Sequence, residues 1–401
     1  MLCLKDFEEY AEKTMDRKSW AFFSQGAERE LTLRENLRAY TRYALIPRVL
    51  RSKSDRDLST TLLGKKVSMP VGIAPTAYQR LAHPEGEVAT ARAANDIGVV
   101  YTLSSVSNTS IKDLANSRPN SSPLWMQLYL FKERRGALKI IKRAEEYGFK
   151  ALVMTVDSPV IGLQLKLWKH GLELPPHLTV PNLDDALAEI QAGFIDTKSH
   201  SDNTFYLEDA LSWEDVAWVK RVSKIHVILK GILTVEDALL AVKHGASAVW
   251  ISNHGGDNWI ALFMRNLQLF RNIVYHKIDM NTVPKNLNKL IIIGENKCCM
   301  FYELEVLPKI VAALKGTGCE VYVDGGVRWG SDVLKALALG ARAVFIGRPT
   351  LWGLNHSGQD GVRSVLEILR SELKRAMHLT GCNTLSDIGP HLVQKREYAK
   401  I

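Results

Sequence analysis

Cysteine is scarce in this sequence, and its few positions form no recognisable pattern. The chain has 401 residues and five cysteines, of which Cys298 and Cys299 are adjacent. Neither the spacing of a disulfide framework nor that of a zinc site is present. We therefore expect a protein of a reducing compartment that holds no metal.

Long apolar runs and secretory signals are also absent. No stretch of roughly 18 consecutive apolar residues occurs, and the first residues do not have the three regions of a signal peptide. We therefore expect no membrane-spanning segment and no contact with a membrane. The sequence also has no segment typical of a haem or iron–sulfur domain, which argues against electron transfer through such a centre.

Charge of one sign is not concentrated anywhere along the chain. The net charge is +9, but the basic residues are scattered rather than gathered in one run. This distribution argues against a nucleic-acid partner and favours the binding of a phosphate group, or solubility alone. The chain ends in Ala-Lys-Ile, a near variant of the peroxisomal Ser-Lys-Leu address, although an arbitrary terminus would look the same. We expect a peroxisomal location, or otherwise a cytoplasmic one.

What the sequence does contain is one unit repeated eight times. A short apolar, β-branched run ends at polar or glycine residues, and an amphipathic helical segment usually follows, as at 134–148, 234–245 and 330–340. The apolar runs are 71–77, 98–105, 124–129, 151–158, 225–231, 248–256, 320–326 and 341–348. They read as buried parallel strands, and eight strand–helix units predict an α/β fold of the (β/α)8 TIM-barrel type. A doubly wound sheet is the alternative, but "APTAYQR" after the first strand is not its glycine-rich turn.

Polar side chains stand at the end of every predicted strand. They are Thr76, Ser104, Gln127 with Tyr129, Thr155 with Asp157, Lys230, Ser252 with His254, Asp324 with Arg328, and Arg348. The carboxyl ends of barrel strands carry the active site, so these side chains predict one, although each alone is equally well explained as a cap or a supporting hydrogen bond. The last two units, "DGGVRWGSD" and "IGRPT", combine glycine turns with arginine and predict a phosphate site.

Long stretches of the chain resemble the FMN-dependent α-hydroxy acid oxidase family, which includes glycolate oxidase and the long-chain hydroxy acid oxidases. The matching stretches include "IAPTAYQRLAHPEGEVATARAA", "TVDSP", "LKGILTVEDALLAVKHGA", "SNHGG" and "VDGGVRWGSDVLKALALGARAVFIGRPTLWGL". The resemblance covers roughly 1–256 and 303–390. Phe22 and the opening "LCLKDFEEYA" are closer to the long-chain branch.

The resemblance implies an FMN site across the barrel mouth. The residues that would contact the ring and the ribityl chain are Pro75, Thr76, Ala77, Ser104, Gln127, Thr155, Lys230 and Ser252. The residues that would hold the ribityl end and the phosphate are Asp324, Gly325, Gly326, Arg328, Gly347 and Arg348. The second set agrees with the phosphate site expected from the glycine turns.

The resemblance also implies an (S)-2-hydroxy-acid oxidase that converts a small 2-hydroxy acid to a 2-oxo acid, with O2 as acceptor and H2O2 as product. His254 would be the base, Asp157 would orient its ring, and Lys230 would stabilise negative charge on the reduced flavin. Tyr129, with His254, would bind the substrate. The family further implies a homo-oligomer, namely a tetramer.

Three departures from the family pattern open an alternative. The family clamps the substrate carboxylate with two arginines, but Gln164 and Asp257 stand at those positions. Lys166 or Lys169 near the first position lacks the bidentate fork of arginine. The alternative is therefore an FMN-binding barrel whose oxidase activity is weakened or lost. Another FMN barrel, such as an isomerase or a dehydrogenase that passes electrons to a protein, is a further rival.

The third departure is a foreign segment at 257–304, where the family has a short loop. Its central part, 258–302, contains seven Asn but one Gly and one Ala. It is either a lineage-specific lid or a translated intron, and we favour the intron. The predicted organisation is thus a helical cover at 1–60, a barrel at 61–390 interrupted by this insert, and a tail at 391–401. The stretch 159–212 is expected to be a loop that closes over the mouth.

Overall fold

A computed structural model gives the fold for most of the chain. The residues that it describes are 1–51, 56–119, 121–158, 165, 174–191, 208, 210–256 and 303–396. Every structural statement below concerns these residues.

Twelve strands occur in the described ranges. They are β1 (Tyr43–Leu45), β2 (Thr60–Leu62), β3 (Lys65–Val67), β4 (Val71–Ile73), β5 (Tyr101–Leu103), β6 (Leu124–Leu128), β7 (Ala151–Thr155), β8 (His226–Ile232), β9 (Ala248–Ile251), β10 (Glu320–Val323), β11 (Ala343–Ile346) and β12 (Val393–Lys395). Strands β4 to β11 form a closed parallel barrel in chain order, and β11 pairs with β4 to close it. The eight predicted strands and the (β/α)8 fold are confirmed.

The barrel interior is filled with side chains, which leaves the rim as the place for a site. Trp125, Trp250, Tyr322 and Phe345 pack against one another, with ring centroids 4.0 Å apart for Trp250 and Phe345. The β2–β3 hairpin adds apolar side chains to this interior cluster. Since Arg342, which precedes β11, donates to the backbone oxygen of Thr61, the hairpin lies at the amino ends of the strands. The carboxyl ends therefore carry the open rim.

Helices connect and surround the barrel strands. Those within the barrel region are Gly86–Ile97, Ile111–Asn116, Arg134–Glu146, Pro181–Gln191, Trp213–Val222, Val235–Lys243, Glu303–Ala313, Gly330–Ala338 and Arg348–Leu379. Local chemistry explains their ends. Thr234, for example, caps Val235–Lys243 by accepting a hydrogen bond from the backbone N–H of Asp237 at 3.0 Å. The three helical segments predicted at 134–148, 234–245 and 330–340 are confirmed with slightly shorter bounds.

Three helices precede the barrel, at Leu4–Thr14, Arg17–Ser24 and Leu31–Ala39. The first packs on Arg348–Leu379, where the rings of Phe7 and His356 lie 5.3 Å apart. The third contacts the turn at 254–256, next to the point where the N–H of Ala27 donates to the backbone oxygen of Gly256 at 2.9 Å. The N-terminal helices therefore reach the carboxyl rim of the barrel.

Residues near the two termini pair with each other in a small antiparallel sheet. Strand β1 pairs with β12, with Tyr43 opposite Lys395. The domain boundaries at 60 and 390 remain predictions, although this pairing ties the expected cover to the expected tail.

The structure tests two expectations about inserted segments only in part. The foreign segment 257–304 lies outside the described residues up to 302, but Glu303 already begins the helix Glu303–Ala313. The stretch 159–212 contains the helix Pro181–Gln191, so the expectation of a loop throughout is wrong there. No helix in the described part of the chain has the length and hydrophobicity needed to cross a bilayer.

Candidate functional site

The centre of the candidate site is a chain of contacts between Lys230, Asp157 and His254. Lys230 comes from β8 and faces Thr155 of β7 across the parallel register, so the sequence places it beside the segment that carries Asp157. The Nζ of Lys230 lies 3.8 Å from Oδ2 of Asp157. Oδ1 of Asp157 lies 3.0 Å from Nδ1 of His254, which follows β9. The barrel thus brings together three residues that are distant in sequence.

The burial of these groups makes their charges effective. The Lys230 side chain is 4% exposed and the Asp157 side chain 9%, whereas His254 is 27% exposed. Burial alone would raise the pKa of Asp157, but the positive charges of Lys230 and His254 outweigh it, and the pKa lies below its usual value. Asp157 is therefore a carboxylate at neutral pH and can only accept a hydrogen bond.

This assignment fixes the tautomer of the His254 ring. Because Asp157 can only accept, Nδ1 of His254 carries the hydrogen between them, and Nε2 of the neutral ring carries the lone pair. Oγ of Ser158 also lies 3.1 Å from Nδ1. The His254 backbone is in the left-handed region, with φ of +58°, and its N–H donates to Oγ of Ser252 at 3.0 Å. The geometry presents an oriented base at the rim.

The ends of β4 to β7 supply a row of ordered polar groups. Nε2 of Gln127 donates to Oγ1 of Thr155 at 3.0 Å, and Oε1 of Gln127 accepts from the N–H of Ser105 at 2.9 Å. Ser104 is buried beside them, and its Oγ accepts from the backbone of Val106. Both ends of the Gln127 amide are therefore held in place by hydrogen bonds, which fixes the orientation of the group.

Three predicted flavin contacts follow β4. Pro75, Thr76 and Ala77 are half-buried at the rim. The hydroxyl of Thr76 accepts from Nε2 of Gln79 at 2.8 Å, and a Cβ on Gly347 would lie 3.5 Å from Cγ2 of Thr76. The first and last strands of the barrel therefore bring their predicted residues side by side.

The turn after β10 holds the predicted phosphate-side residues. Asp324 is buried, and its Oδ1 has no hydrogen-bond partner in the described structure. Burial raises its pKa, although Lys230 and a hydrogen bond from Ser252 act in the opposite direction. Nε of Arg328 is also buried without a partner among the described atoms, and burial lowers the pKa of its guanidinium. A hydroxyl-bearing, anionic ligand would supply both missing partners.

Gly325 and Gly326 follow Asp324 in left-handed conformations, with φ of +85° and +74°. A Cβ on Gly325 would lie 2.7 Å from Oε1 of Glu303, and one on Gly326 would lie 2.0 Å from the backbone oxygen of Asn36. Glycine is thus required here by the close approach of two helices as well as by the backbone conformation.

Arg348, the other predicted phosphate ligand, binds the protein backbone. Its guanidinium donates to the backbone oxygens of Phe23 at 2.9 Å, Gln25 at 2.7 Å and Gly255 at 2.9 Å. It therefore ties the second N-terminal helix to the turn of His254. Whether it also contacts a phosphate stays a prediction.

The structure describes some of the remaining predicted residues and not others. Tyr129 is half-buried just after β6. Gln164, Lys166, Lys169 and Asp257 lie outside the described residues. Phe22 packs against Tyr78, with ring centroids 5.5 Å apart.

Sequence reasoning missed several residues that support the site. Glu303 accepts a hydrogen bond from the backbone N–H of Asn253 at 3.1 Å, and the amides of Asn253 and Asn36 pair with each other. Glu303 lies at the end of the foreign segment 257–304, where no family motif could identify it, and Asn36 lies far away in the sequence. The only sequence signal for these contacts was the asparagine of "SNHGG".

Comparisons with known proteins agree with this geometry. The profile of the FMN-dependent dehydrogenase family matches residues 11–395. The chain is 37% identical to 2-hydroxyacid oxidase 1 of Mus musculus over 402 residues, covering 100% of this chain and 98% of that protein. It is 37% identical to glycolate oxidase of Spinacia oleracea, covering 96% and 93%. The structure of mandelate oxidase with benzoyl-formic acid is similar at a TM-score of 0.79 and 35% identity, covering 99% of this chain and 98% of that one.

The described residues fit FMN, because Asp324 and Arg328 leave buried polar atoms for hydroxyl and phosphate groups, while Gln127 and Lys230 offer ordered donors at the rim. With the profile spanning 11–395 and relatives at 37% identity over nearly all of the chain, this protein belongs to the FMN-dependent dehydrogenase family.

Proposed function

We propose that the protein oxidises a small 2-hydroxy acid to the 2-oxo acid, with O2 as electron acceptor and H2O2 as product. The observation that carries this proposal is the contact of His254 with a buried carboxylate that also faces Lys230, at 3.0 Å and 3.8 Å from Asp157. A base with a fixed tautomer beside a buried cation suits the removal of a proton from an alcohol next to a carboxylate. The relatives named 2-hydroxyacid oxidase and glycolate oxidase support the same substrate class.

Each residue has a distinct task in this proposal. Nε2 of His254 takes a proton from the substrate, and Asp157 stabilises the imidazolium that results. Lys230 keeps a buried positive charge where negative charge develops on reduction. Tyr129 is proposed to hydrogen-bond the substrate. Bound FMN would supply the acceptor for the two electrons of the oxidation.

The balance of atoms is simple. The substrate loses two hydrogens, one from its hydroxyl and one from the adjacent carbon, and becomes a 2-oxo acid. Two electrons and two protons pass in the end to O2, which becomes H2O2.

A second candidate function is FMN binding with weakened or lost turnover. The observation in its favour is that Gln164 and Asp257 occupy the positions expected for the two clamp arginines. Each charge-assisted hydrogen bond contributes about 1.5–3 kcal/mol, so losing both would reduce kcat/KM by roughly two to four orders of magnitude.

Anaerobic mixing separates the two functions. The purified holoprotein is mixed with glycolate, lactate and a longer 2-hydroxy acid while the flavin absorbance is followed. Under the proposed function the absorbance bleaches with at least one acid, and admitting air restores it with stoichiometric peroxide. A His254→Asn variant should bind FMN but bleach far more slowly. A wild-type flavin that bleaches only at very high acid concentrations, or stays oxidised with all three acids, would establish the second function.

Assembly and location are separate proposals. We infer a homotetramer, which sedimentation of the holoprotein would test. We also propose a peroxisomal location, and a fluorescent fusion imaged beside a peroxisomal marker tests it.

A further inference from the structure

Glu303 lies where three parts of the rim meet. Oε1 of Glu303 accepts a hydrogen bond from the backbone N–H of Asn253, the residue before His254, at 3.1 Å. Oε2 of Glu303 lies 2.8 Å from the Asn36 side-chain amide, so a proton on this carboxyl group can be donated to Oδ1 of Asn36. The side chains of Asn36 and Asn253 lie 2.8 and 2.9 Å apart through their amide atoms. One carboxyl group thus joins the His254 turn to the helix Leu31–Ala39.

The same carboxyl group packs against the predicted phosphate turn. A Cβ on Gly325 would lie 2.7 Å from Oε1 of Glu303 and 3.2 Å from Nδ2 of Asn36. The backbone of Gly325 is therefore in direct contact with the Glu303–Asn36 pair. A displacement of Glu303 would be transmitted to this turn and to the His254 turn together, because each is packed against it.

The charges around Glu303 distinguish it from an ordinary structural carboxylate. Burial raises its pKa to about 8, and the negative charge of Asp324 acts in the same direction, while Lys230 acts in the opposite direction. Glu303 also acts on Tyr40, whose own pKa is raised first by burial and then by Asp332, Glu303 and Asp324. At neutral pH Glu303 therefore holds its proton, and its negative charge appears only in more alkaline solution.

We propose that Glu303 is a positioning residue that holds the His254 turn and the 324–326 turn in the geometry needed for FMN binding and for the proposed oxidation. The part that concerns oxidation rests on the proposed function, whereas the part that concerns FMN does not. Glu303 acts through Asn253, Asn36 and Gly325, and touches none of the reacting atoms. Neutral Glu303 places no negative charge next to the predicted phosphate site, whereas ionised Glu303 adds a second negative charge beside Asp324.

Three variants test the proposal in the full-length protein. Glu303→Gln keeps the size, an acceptor for Asn253 and a donor, but cannot ionise. Glu303→Leu removes all hydrogen bonds. Glu305→Gln is the matched control on the same helix, since Glu305 is partly exposed and pairs with Arg42 and Lys395 away from the rim. FMN affinity is measured by fluorescence quenching between pH 6 and 9.5, and unfolding of the FMN-depleted proteins is measured by urea over the same range.

The expected result is a rise in the FMN Kd of roughly tenfold or more for Glu303→Leu at pH 7, as one to two hydrogen bonds are lost. Glu303→Gln and Glu305→Gln should stay within about threefold of the wild type. Above pH 8 the wild-type Kd should rise and that of Glu303→Gln should not. The FMN-depleted wild type should likewise lose stability relative to Glu303→Gln as pH rises toward 8. Between the unfolded and the folded pKa of Glu303, the folded state holds a proton on Glu303 that the unfolded state has released, so a rise in pH favours unfolding.

Two results would overturn the proposal. One is a Glu303→Leu variant that binds FMN as Glu305→Gln does. The other is a change of the FMN Kd or of the unfolding stability at alkaline pH that is still present in Glu303→Gln. This second result decides the matter if Glu303→Leu does not fold. Because neither measurement depends on turnover, an inactive wild type would contradict the proposed oxidation without affecting this test. If the enzyme turns over, Glu303→Gln should rescue the kcat that Glu303→Leu loses.

Discussion

Replacing Asp157 with asparagine should slow the proposed oxidation far more than it disturbs FMN binding. Asp157 accepts from Nδ1 of His254 at 3.0 Å and lies 3.8 Å from Nζ of Lys230, and its side chain is 9% exposed. Asparagine keeps the shape but removes the negative charge. Its amide nitrogen can also donate to Nδ1, which would move the ring hydrogen to Nε2 and remove the lone pair that accepts the substrate proton.

The size of the effect follows from the distance. At an effective dielectric constant of about 20, unit charges 3 Å apart attract by roughly 5 kcal/mol. His254 is 27% exposed, so solvent screens part of this attraction. We therefore expect a loss of about 3–4 kcal/mol of stabilisation for the imidazolium, which corresponds to a rate lower by several hundredfold. Lys230 keeps a negative neighbour in Asp324, so the fold should survive.

The assay is anaerobic stopped-flow reduction of the bound flavin at saturating 2-hydroxy acid, with FMN affinity measured in parallel. Ser158→Ala is the matched control, because Oγ of Ser158 lies 3.1 Å from the same ring nitrogen but carries no charge. It should cost less than about tenfold, as a neutral hydrogen bond contributes about 1 kcal/mol. Reduction of Asp157→Asn at a rate within tenfold of the wild type would refute the assigned role of the carboxylate.

Two further predictions concern the turn after β10. Gly326→Ala should destabilise the fold by several kcal/mol more than Gly316→Ala. Both glycines have positive φ, but a Cβ at 326 would lie 2.0 Å from the backbone oxygen of Asn36, whereas a Cβ at 316 would meet nothing within 4 Å. Equal urea midpoints for the two variants would contradict this packing argument. Asp324→Asn should make the FMN-depleted protein more stable at neutral pH while it weakens FMN binding. The folded pKa of Asp324 is raised, so the wild type loses stability as pH rises from the unfolded value of about 3.9 through the folded one, and a variant that cannot ionise escapes this loss. Urea unfolding from pH 3 to 8 with an FMN titration checks both effects, and a less stable variant would contradict the second.

The barrel was predictable because its signals are local. Each strand is a short apolar run buried on both faces, and each run ends in a polar residue at the rim, as Lys230 and Gln127 do. Parallel strands that close in chain order bring such ends together without further information. The pairing of Asp157 with His254 could not be predicted from local signals, because the two residues are 97 positions apart and only the family resemblance connected them.

The features that sequence reasoning missed depend on contacts between distant segments. The pairing of β1 with β12 joins strands of three residues, which are too short for a clear alternation. The roles of Asn36 and Glu303 follow from a helix that docks on the rim, and nothing in their local sequence indicates this docking. Arg348, a residue type typical of phosphate sites, has a further role that the sequence did not indicate, because it donates three hydrogen bonds to backbone oxygens.

The positions of the departures from the family pattern determine how they should affect catalysis. The residues proposed for proton transfer and flavin binding stand on barrel strands or directly after them, and their mutual contacts are intact, as Asp157 with His254 and Gln127 with Thr155 show. The substituted positions of the proposed clamp, 164 and 257, belong to the sequence segments that follow β7 and β9. A change confined to those segments weakens the hold on the substrate carboxylate but leaves the base and its carboxylate in place. We therefore expect any loss of activity to appear mainly as a high KM and weak discrimination among 2-hydroxy acids, while the flavin stays bound and reducible.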